Sequence, residues 1–269
     1  MYVRRLPYAT NPIDQVRTFF DDTGGDGPPV LVYPGFADPV AYAESSPLAQ
    51  ALQGDFRLIY GDHRGQGRSD KPHDVESYAL ATRVADVVAV LDALGIRRAH
   101  YLGSSWGARL GFAIGEHAPE RVLSLVLCGN QPYAWPMDSP MLRAVTDALA
   151  AGRKRGMPAM VEAWESAIGE RFPEPGRTWM LDNDPLALDA AFRSAFLEGP
   201  ISRDLAAWTT PCLIYTGEND ELHDDAERAA AEIPGATFVS LPGHTHFSVE
   251  RVADQPLPRV LELFRSAGA

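Results

Sequence analysis

The chain has 269 residues, of which 45% are hydrophobic, and it carries a formal net charge of −12. This length suits one α/β domain or two small ones, with enough apolar residues for a sizeable core. The acidic balance excludes nucleic acid and anionic membranes as expected partners, because their phosphate groups would repel the chain. We therefore expect a small-molecule ligand, and the sequence predicts no particular oligomeric state.

Two further features bear on location. The N-terminus carries Arg4 and Arg5 but no apolar run after them, so we expect no signal peptide. No segment approaches the roughly 18–20 apolar residues that a membrane span needs. The two cysteines, Cys128 and Cys212, are too few for a disulfide framework, and each lies at one end of an apolar run typical of a buried strand. The sequence therefore predicts a cytoplasmic protein with two buried thiols.

Short apolar runs alternate with helical patterns in the first half of the chain, which is typical of an α/β fold. A helix is predicted over Tyr78–Leu94, because apolar residues recur there at helical spacing, with Gly95 as its C-cap. The first two predicted strands form an antiparallel pair. The predicted strands of this half are Val3–Pro7, Gln15–Phe20, Pro29–Tyr33, Arg57–Tyr60, Ala99–Leu102 and Val122–Leu127.

The alternation stops at residues 129–136, and the pattern is then almost entirely helical to about Ile201. Strands return at Cys212–Tyr215 and Thr237–Leu241, and a last helix is predicted over Pro256–Arg265. A sheet domain of residues 1–130 and 206–269 is thus predicted to carry a helical insertion, 131–205. The candidate helices of the insertion are Met141–Arg155, Pro158–Ile168, Trp179–Leu181 and Leu186–Leu197.

The most informative motif is Gly103-Ser104-Ser105-Trp106-Gly107, which lies between a predicted strand and a helical pattern. A G-x-S-x-G pattern that follows a strand and precedes a helix is typical of a nucleophile elbow. This turn is so tight that the positions two residues before and two residues after the serine must be glycine. The turn exposes the Ser105 hydroxyl at the end of the strand. The N-terminus of the following helix favours negative charge that develops beside it.

Four more segments resemble motifs of the α/β-hydrolase family. Pro34-Gly-Phe36 resembles its oxyanion loop, and Asp62-His-Arg-Gly-Gln-Gly-Arg-Ser-Asp70 its D-x-R-G-x-G-x-S turn. Gly217-Glu-Asn-Asp220 resembles the G-x-x-D acid motif, and Leu241-Pro-Gly-His-Thr-His-Phe247 the segment around the family's histidine. The resemblance covers nearly the whole chain and is to serine hydrolases or esterases with a helical cap. It implies a mostly parallel eight-stranded sheet flanked by helices, with residues 131–205 as the cap.

A serine nucleophile needs a base, usually a histidine that a carboxylate orients. After this elbow the expected chain order is serine, acid, histidine. Asp220 follows one late strand, and His244 and His246 follow the next, so the order is met. The resemblance selects His246 as the base. Asp220 is preferred as the acid over its acidic neighbours, which are more typical of a solvated face or a helix start: Glu218, Glu221, Asp224 and Asp225.

An oxyanion hole needs two backbone N–H donors. The resemblance implies that they belong to Phe36 and to Trp106, the residue after the nucleophile. Phe36 and Trp106 are also expected to form pocket walls, together with three large aromatic residues at and within the insertion: Tyr133, Trp135 and Trp164. The turn Asp62–Asp70 is expected to brace the site.

These features predict a serine hydrolase that cleaves carboxylic esters, lactones included, of small neutral and largely apolar substrates, with no cofactor or metal. Neutrality is expected because no arginine cluster is visible that would bind a carboxylate or phosphate. One alternative is an amide or C–C bond hydrolase of the same fold, such as a relative of proline iminopeptidases or of meta-cleavage product hydrolases. Another is a hydrolase-like protein that binds a ligand and signals.

Overall fold

The computed structural model describes residues 7–136 and 138–268, and these form one twisted sheet with helices on both faces. The sheet has eight strands in the order β1-β2-β4-β3-β5-β6-β7-β8. The strands are β1 (Tyr8–Thr10), β2 (Arg17–Asp22), β3 (Pro29–Tyr33), β4 (Arg57–Gly61), β5 (Ala99–Ser104), β6 (Val122–Cys128), β7 (Cys212–Gly217) and β8 (Thr237–Leu241).

Ten α-helices connect or follow these strands within the described residues. They are α1 (Val40–Ser45), α2 (Pro47–Leu52), α3 (Leu80–Leu94), α4 (Trp106–His117), α5 (Pro140–Arg155), α6 (Met157–Ile168), α7 (Gly176–Leu181), α8 (Pro185–Leu197), α9 (His223–Glu232) and α10 (Leu257–Ala267). No helix in the described ranges is both long and apolar enough to cross a membrane.

Strands β3 to β8 pair in parallel, whereas β2 is antiparallel to both β1 and β4. The central strands are apolar on both faces, as expected where helices cover both sides of a parallel sheet. Leu31 and Tyr101 belong to the core on one face, and Val30 and Val126 to the core on the other. The parallel arrangement brings the carboxyl ends of β3, β5, β6, β7 and β8 to one edge, where ligands of open α/β sheets bind.

The predicted fold class is confirmed, and most predicted elements differ from the structure only at their ends. Gly95 has φ +69° and caps α3, as predicted. Helix α3 begins at Leu80 rather than Tyr78, because Val75–Tyr78 forms a separate 3₁₀ turn and Ala79 is not helical. The first strand begins at Tyr8, which pairs with Phe19 of β2. The sequence predicts that Pro7 belongs to this strand, as part of Val3–Pro7, and that prediction is wrong. Residues 3–6 lie outside the described residues.

Helices α5 to α8 lie between β6 and β7, in the stretch predicted as a helical insertion. They contribute most residues of one hydrophobic cluster, among them Leu149, Met160 and Leu188. Ala37, in the loop after β3, and Trp106, at the start of α4, are part of the same cluster. The inserted helices therefore pack over the residue that follows Ser105.

Candidate active site

Ser105 occupies the turn between β5 and α4 in a strained conformation. Its φ and ψ are +49° and −110°, a combination that a residue with a side chain rarely adopts. The Ser105 N–H donates to the Cys128 carbonyl at 2.8 Å, and the Asn130 side-chain amide donates to the Ser105 carbonyl at 2.9 Å. Bonds from the neighbouring strand β6 and the loop after it therefore hold the turn in place.

The glycines on either side of Ser105 are required by close backbone contacts. A Cβ on Gly103 would lie 2.4 Å from the Gly107 carbonyl oxygen, and a Cβ on Gly107 would lie 2.2 Å from the Tyr33 carbonyl oxygen. Neither backbone atom can move aside as the end of a flexible side chain would. The G-x-S-x-G pattern thus follows from the close packing of α4 against β5 and β3.

We expect Gly107→Ala to destabilise the fold, because its methyl group would overlap the backbone of β3. The free energy of unfolding should fall by about 3 kcal/mol, the upper end of the usual overpacking range. Thermal unfolding followed by circular dichroism measures the change. Gly199→Ala is the matched control, since a Cβ there meets nothing within 4 Å. Equal melting temperatures for the two variants would contradict the packing argument.

Ser105, His246 and Asp220 are brought together at the carboxyl edge of the sheet. The distance from Ser105 Oγ to His246 Nε2 is 2.9 Å, and that from His246 Nδ1 to Asp220 Oδ2 is 2.8 Å. The Asp220 carboxylate also accepts hydrogen bonds from the Thr216 hydroxyl at 3.0 Å and from the Leu222 N–H at 3.0 Å. These contacts fix the orientation of the carboxylate toward the imidazole ring.

The electrostatics of this group favour a charged imidazole beside an ionised carboxylate. Burial disfavours the charged form of His246, but the charge and hydrogen bond of Asp220 outweigh it and raise the pKa of His246 above its usual value. Burial likewise works against the charge of Asp220, yet His246 and the hydrogen bonds to the carboxylate lower its pKa. The arrangement therefore stabilises the imidazolium that forms when His246 takes a proton.

The other candidate acids and the second histidine have different partners. The carboxylate of Glu218 accepts the Gly243 N–H, and that of Glu221 accepts the Ser139 hydroxyl. Asp224 is fully exposed, and Asp225 pairs with an arginine on its own helix. The His244 ring contacts the Ser248 hydroxyl at 3.2 Å. None of these side chains hydrogen-bonds to the His246 ring.

The loop after β3 lies against the elbow and carries a free amide. The Phe36 N–H donates to no acceptor within the described residues. The Trp106 N–H belongs to the first residue of α4 and so has no acceptor within the helix. The Gly107 N–H donates to the Pro34 carbonyl at 3.0 Å and ties the loop to the elbow.

The turn Asp62–Asp70 holds this loop from behind. The Gln66 side chain accepts the Ala37 N–H at 2.7 Å, and the His63 ring nitrogen contacts the Pro34 carbonyl at 2.9 Å. His63 is fully enclosed, and burial lowers its pKa to about 4, so it is neutral at pH 7. The Asp62 carboxylate accepts the Val40 N–H at 2.6 Å. These residues contact the loop rather than Ser105, which agrees with the bracing role expected from the sequence.

A cavity of about 1030 Å³, its open mouth included, lies between the elbow and the inserted helices. Ser105 and His246 are part of its wall. Four predicted pocket residues also line it: Phe36, Trp106, Trp135 and Trp164. The Phe36 ring lies at the centre of this aromatic wall, with ring centroids 5.2 Å from Trp106 and 5.3 Å from Phe192.

The fifth predicted pocket residue, Tyr133, does not line this cavity. Its ring packs instead beneath the Arg228 guanidinium of α9, with 3.7 Å between the guanidinium carbon and the ring centroid. The prediction is wrong because position in the chain does not fix the direction of a side chain in the irregular segment after β6.

Sequence reasoning also missed the charged part of the cavity wall. Asp38 and Glu250 lie near Ser105, and Glu170, Arg171 and Arg251 lie elsewhere in the wall. No local sequence pattern predicts these residues as part of the wall, because they belong to segments that lie far apart in the chain and meet only in the folded protein.

The fold, the strained elbow and the group around Ser105 define the class of the protein. The model of the α/β hydrolase fold family matches residues 28–185, and the chain belongs to this family. RutD of Variovorax paradoxus (strain S110), named as a carbamate hydrolase, is 37% identical over 239 residues, which cover 84% of this chain and 88% of RutD. The 2-hydroxy-6-oxo-2,4-heptadienoate hydrolase of Pseudomonas putida (strain F1) is 25% identical, with 77% and 84% covered.

Solved structures match over almost the full length. A hydrolase from Pseudomonas aeruginosa PA01 superposes with a TM-score of 0.82 at 24% identity, covering 98% of this chain and 99% of that one. The enol-lactonase from Burkholderia xenovorans LB400 has a TM-score of 0.79 at 21% identity, with 96% and 100% covered. At these identities the likeness concerns the fold. Within the described ranges, no three His, Cys, Asp or Glu side chains are grouped as metal ligands would be.

Proposed function

We propose that the protein is a serine hydrolase that cleaves carboxylic esters, lactones included, through an acyl-enzyme. The observation that carries the proposal is the continuous contact from Ser105 Oγ through the His246 ring to Asp220, with distances of 2.9 and 2.8 Å. A serine hydroxyl becomes a useful nucleophile when a base lies within hydrogen-bond reach and a third group orients that base. Both conditions are met here without further movement.

In the proposed mechanism, Ser105 Oγ attacks the ester carbonyl while His246 Nε2 takes the hydroxyl proton. Asp220 holds the ring in the tautomer with its proton on Nδ1 and stabilises the imidazolium. The N–H groups of Phe36 and Trp106 bind the developing oxyanion. His246 then gives its proton to the leaving alcohol, and the same residue activates the water that hydrolyses the acyl-enzyme.

The cavity supports a small substrate with a largely apolar acyl or alcohol group. Most of its wall is aromatic or aliphatic, with Phe36, Trp164 and Val145 among the contributing side chains. An apolar wall with a few convergent polar groups is typical of small-molecule sites. We propose that residues 131–205 act as the cap over this site. A cytoplasmic location stays a prediction from the sequence.

The proposal is tested by measuring hydrolysis of p-nitrophenyl acetate and p-nitrophenyl butyrate by the purified protein. We expect steady turnover over many catalytic cycles, because the aligned base also serves deacylation. Release of about one equivalent of p-nitrophenol followed by a stop would favour a ligand-binding protein. No release from any ester, with turnover of an anilide or a vinylogous diketone, would favour amide or C–C bond cleavage.

A further inference from the structure

Asp38 lies in the cavity wall beside the nucleophile, directly after the Gly35–Ala37 turn. The geometry around Gly35 locates it: a Cβ built on that glycine would be 2.9 Å from Asp38 Oδ2 and 3.6 Å from Ser105 Cβ. The same point is 3.7 Å from Glu250 Oε1. Two carboxyl groups therefore lie close to Gly35, in the same part of the cavity wall as Ser105.

The two carboxyl groups differ in their protein partners. Glu250 accepts hydrogen bonds at both oxygens, from the Ser104 hydroxyl and from the Tyr42 hydroxyl, the latter at 3.0 Å. The protein thus holds the Glu250 carboxylate in a fixed orientation. Asp38, by contrast, receives no hydrogen bond at its carboxyl group from any residue that the structure describes.

Asp38 is half-buried in the open cavity, and its surroundings disfavour the negative charge. Burial and the adjacent Glu250 both raise the pKa of Asp38, and no neighbouring cation offsets them. Arg171 and Arg251 belong to the same cavity wall, but neither is among the groups that act on the Asp38 carboxyl. A carboxyl group in this position is stabilised by a proton, by water that enters the cavity, or by a positively charged hydrogen-bond donor, and the last of these gives the strongest hydrogen bonds.

We propose that Asp38, with Glu250 behind it, determines specificity by binding a protonated amine on the substrate. The proposal rests on the proposed function and narrows it: the ester carries a short chain that ends in a basic amine. This departs from the neutral substrate that the sequence predicts. The apolar wall then contacts the rest of the molecule, and the ammonium group supplies the hydrogen bonds that Asp38 does not receive from the protein.

Binding is measured by calorimetry at pH 7 on Ser105→Ala, which is expected to bind esters without cleaving them. The probes are 4-aminobutyl acetate, its neutral analogue pentyl acetate and its anionic analogue 5-acetoxypentanoate. The amine should bind at least about tenfold more tightly than pentyl acetate, because a charge-assisted hydrogen bond is available only to the amine. Adding Asp38→Asn should reduce this preference to about one.

Two controls make the outcome specific to Asp38. Asp147→Asn removes the same charge from an exposed position on α5 outside the cavity wall, and the preference for the amine should persist in it. Asp38→Ala replaces Asp38→Asn in the binding measurement if the asparagine variant melts at a lower temperature than its parent. Since binding is read without turnover, absence of hydrolysis in the wild type would refute the proposed function and leave this measurement intact.

Three results would overturn the proposal. One is equal or tighter binding of pentyl acetate or 5-acetoxypentanoate, which would mean that Asp38 does not select an ammonium group. Another is an amine preference that survives both Asp38→Asn and Asp38→Ala. The third is an absence of measurable binding of the amine under conditions where pentyl acetate binds.

Discussion

Ser105→Ala should reduce the kcat of ester hydrolysis by about 10⁶-fold, the size of loss known when a triad serine is removed. The reason is that Ser105 supplies the only hydroxyl group that hydrogen-bonds to the His246 ring within the described residues, with 2.9 Å between its Oγ and His246 Nε2. The measurement is the turnover of p-nitrophenyl butyrate at substrate saturation. Binding of the substrate should persist, since the oxyanion loop and the aromatic wall are unchanged.

The matched control for this variant is Ser266→Ala, which removes an exposed hydroxyl on α10 far from the elbow in the chain. It should hydrolyse the ester at the wild-type rate and melt at the wild-type temperature. Residual activity of Ser105→Ala within about tenfold of the wild type would mean that another group performs the attack.

Asp220→Asn should lower kcat by about 10⁴-fold while leaving the fold intact. An asparagine has nearly the same shape, but its amide can donate to His246 Nδ1 and so favours the tautomer whose proton is on Nε2. That nitrogen then cannot accept the Ser105 proton. Asp224→Asn is the control, because Asp224 is a neighbouring aspartate whose side chain is fully exposed. Similar kcat values for the two variants would contradict the role proposed for Asp220.

The pH profile gives this variant a second readout. His246 must be neutral to accept a proton, so wild-type activity falls as the pH drops through the pKa of His246. Asp220 raises that pKa, so the fall should lie above the ordinary histidine value of about 6.5. In Asp220→Asn the stabilising charge is gone, and the residual activity should persist to lower pH. An acidic limb at the same pH in both proteins would count against the coupling.

The sequence predicts the reactive group because each of its members belongs to a local motif. Gly103 and Gly107 mark the elbow through close contacts with nearby backbone, and a tight turn of this kind has a recognisable spacing. Asp220 and His246 each follow a strand, so parallel strand order predicts that both reach the same edge of the sheet. The catalytic roles themselves stay predictions until the variants are measured.

The cavity wall is harder to predict because it depends on contacts between distant parts of the chain. Asp38 and Glu250 are separated by more than two hundred positions, and only the folded protein brings both into the cavity wall near Gly35 and Ser105. Tyr133, by contrast, is predicted to line the cavity and does not. It lies close in the chain to cavity residues, yet its ring turns toward Arg228 on α9. Side-chain direction in irregular segments is set by packing that no local pattern records.

The most direct test of the central claim is labelling with a fluorophosphonate probe, which reacts with a serine only when it is activated. The wild-type protein and Ser105→Ala are treated side by side, and the labelled peptide is located by mass spectrometry. The account predicts a single adduct on Ser105 in the wild type and none in the variant. An unlabelled wild-type protein, or an adduct on another residue that persists in Ser105→Ala, would contradict it.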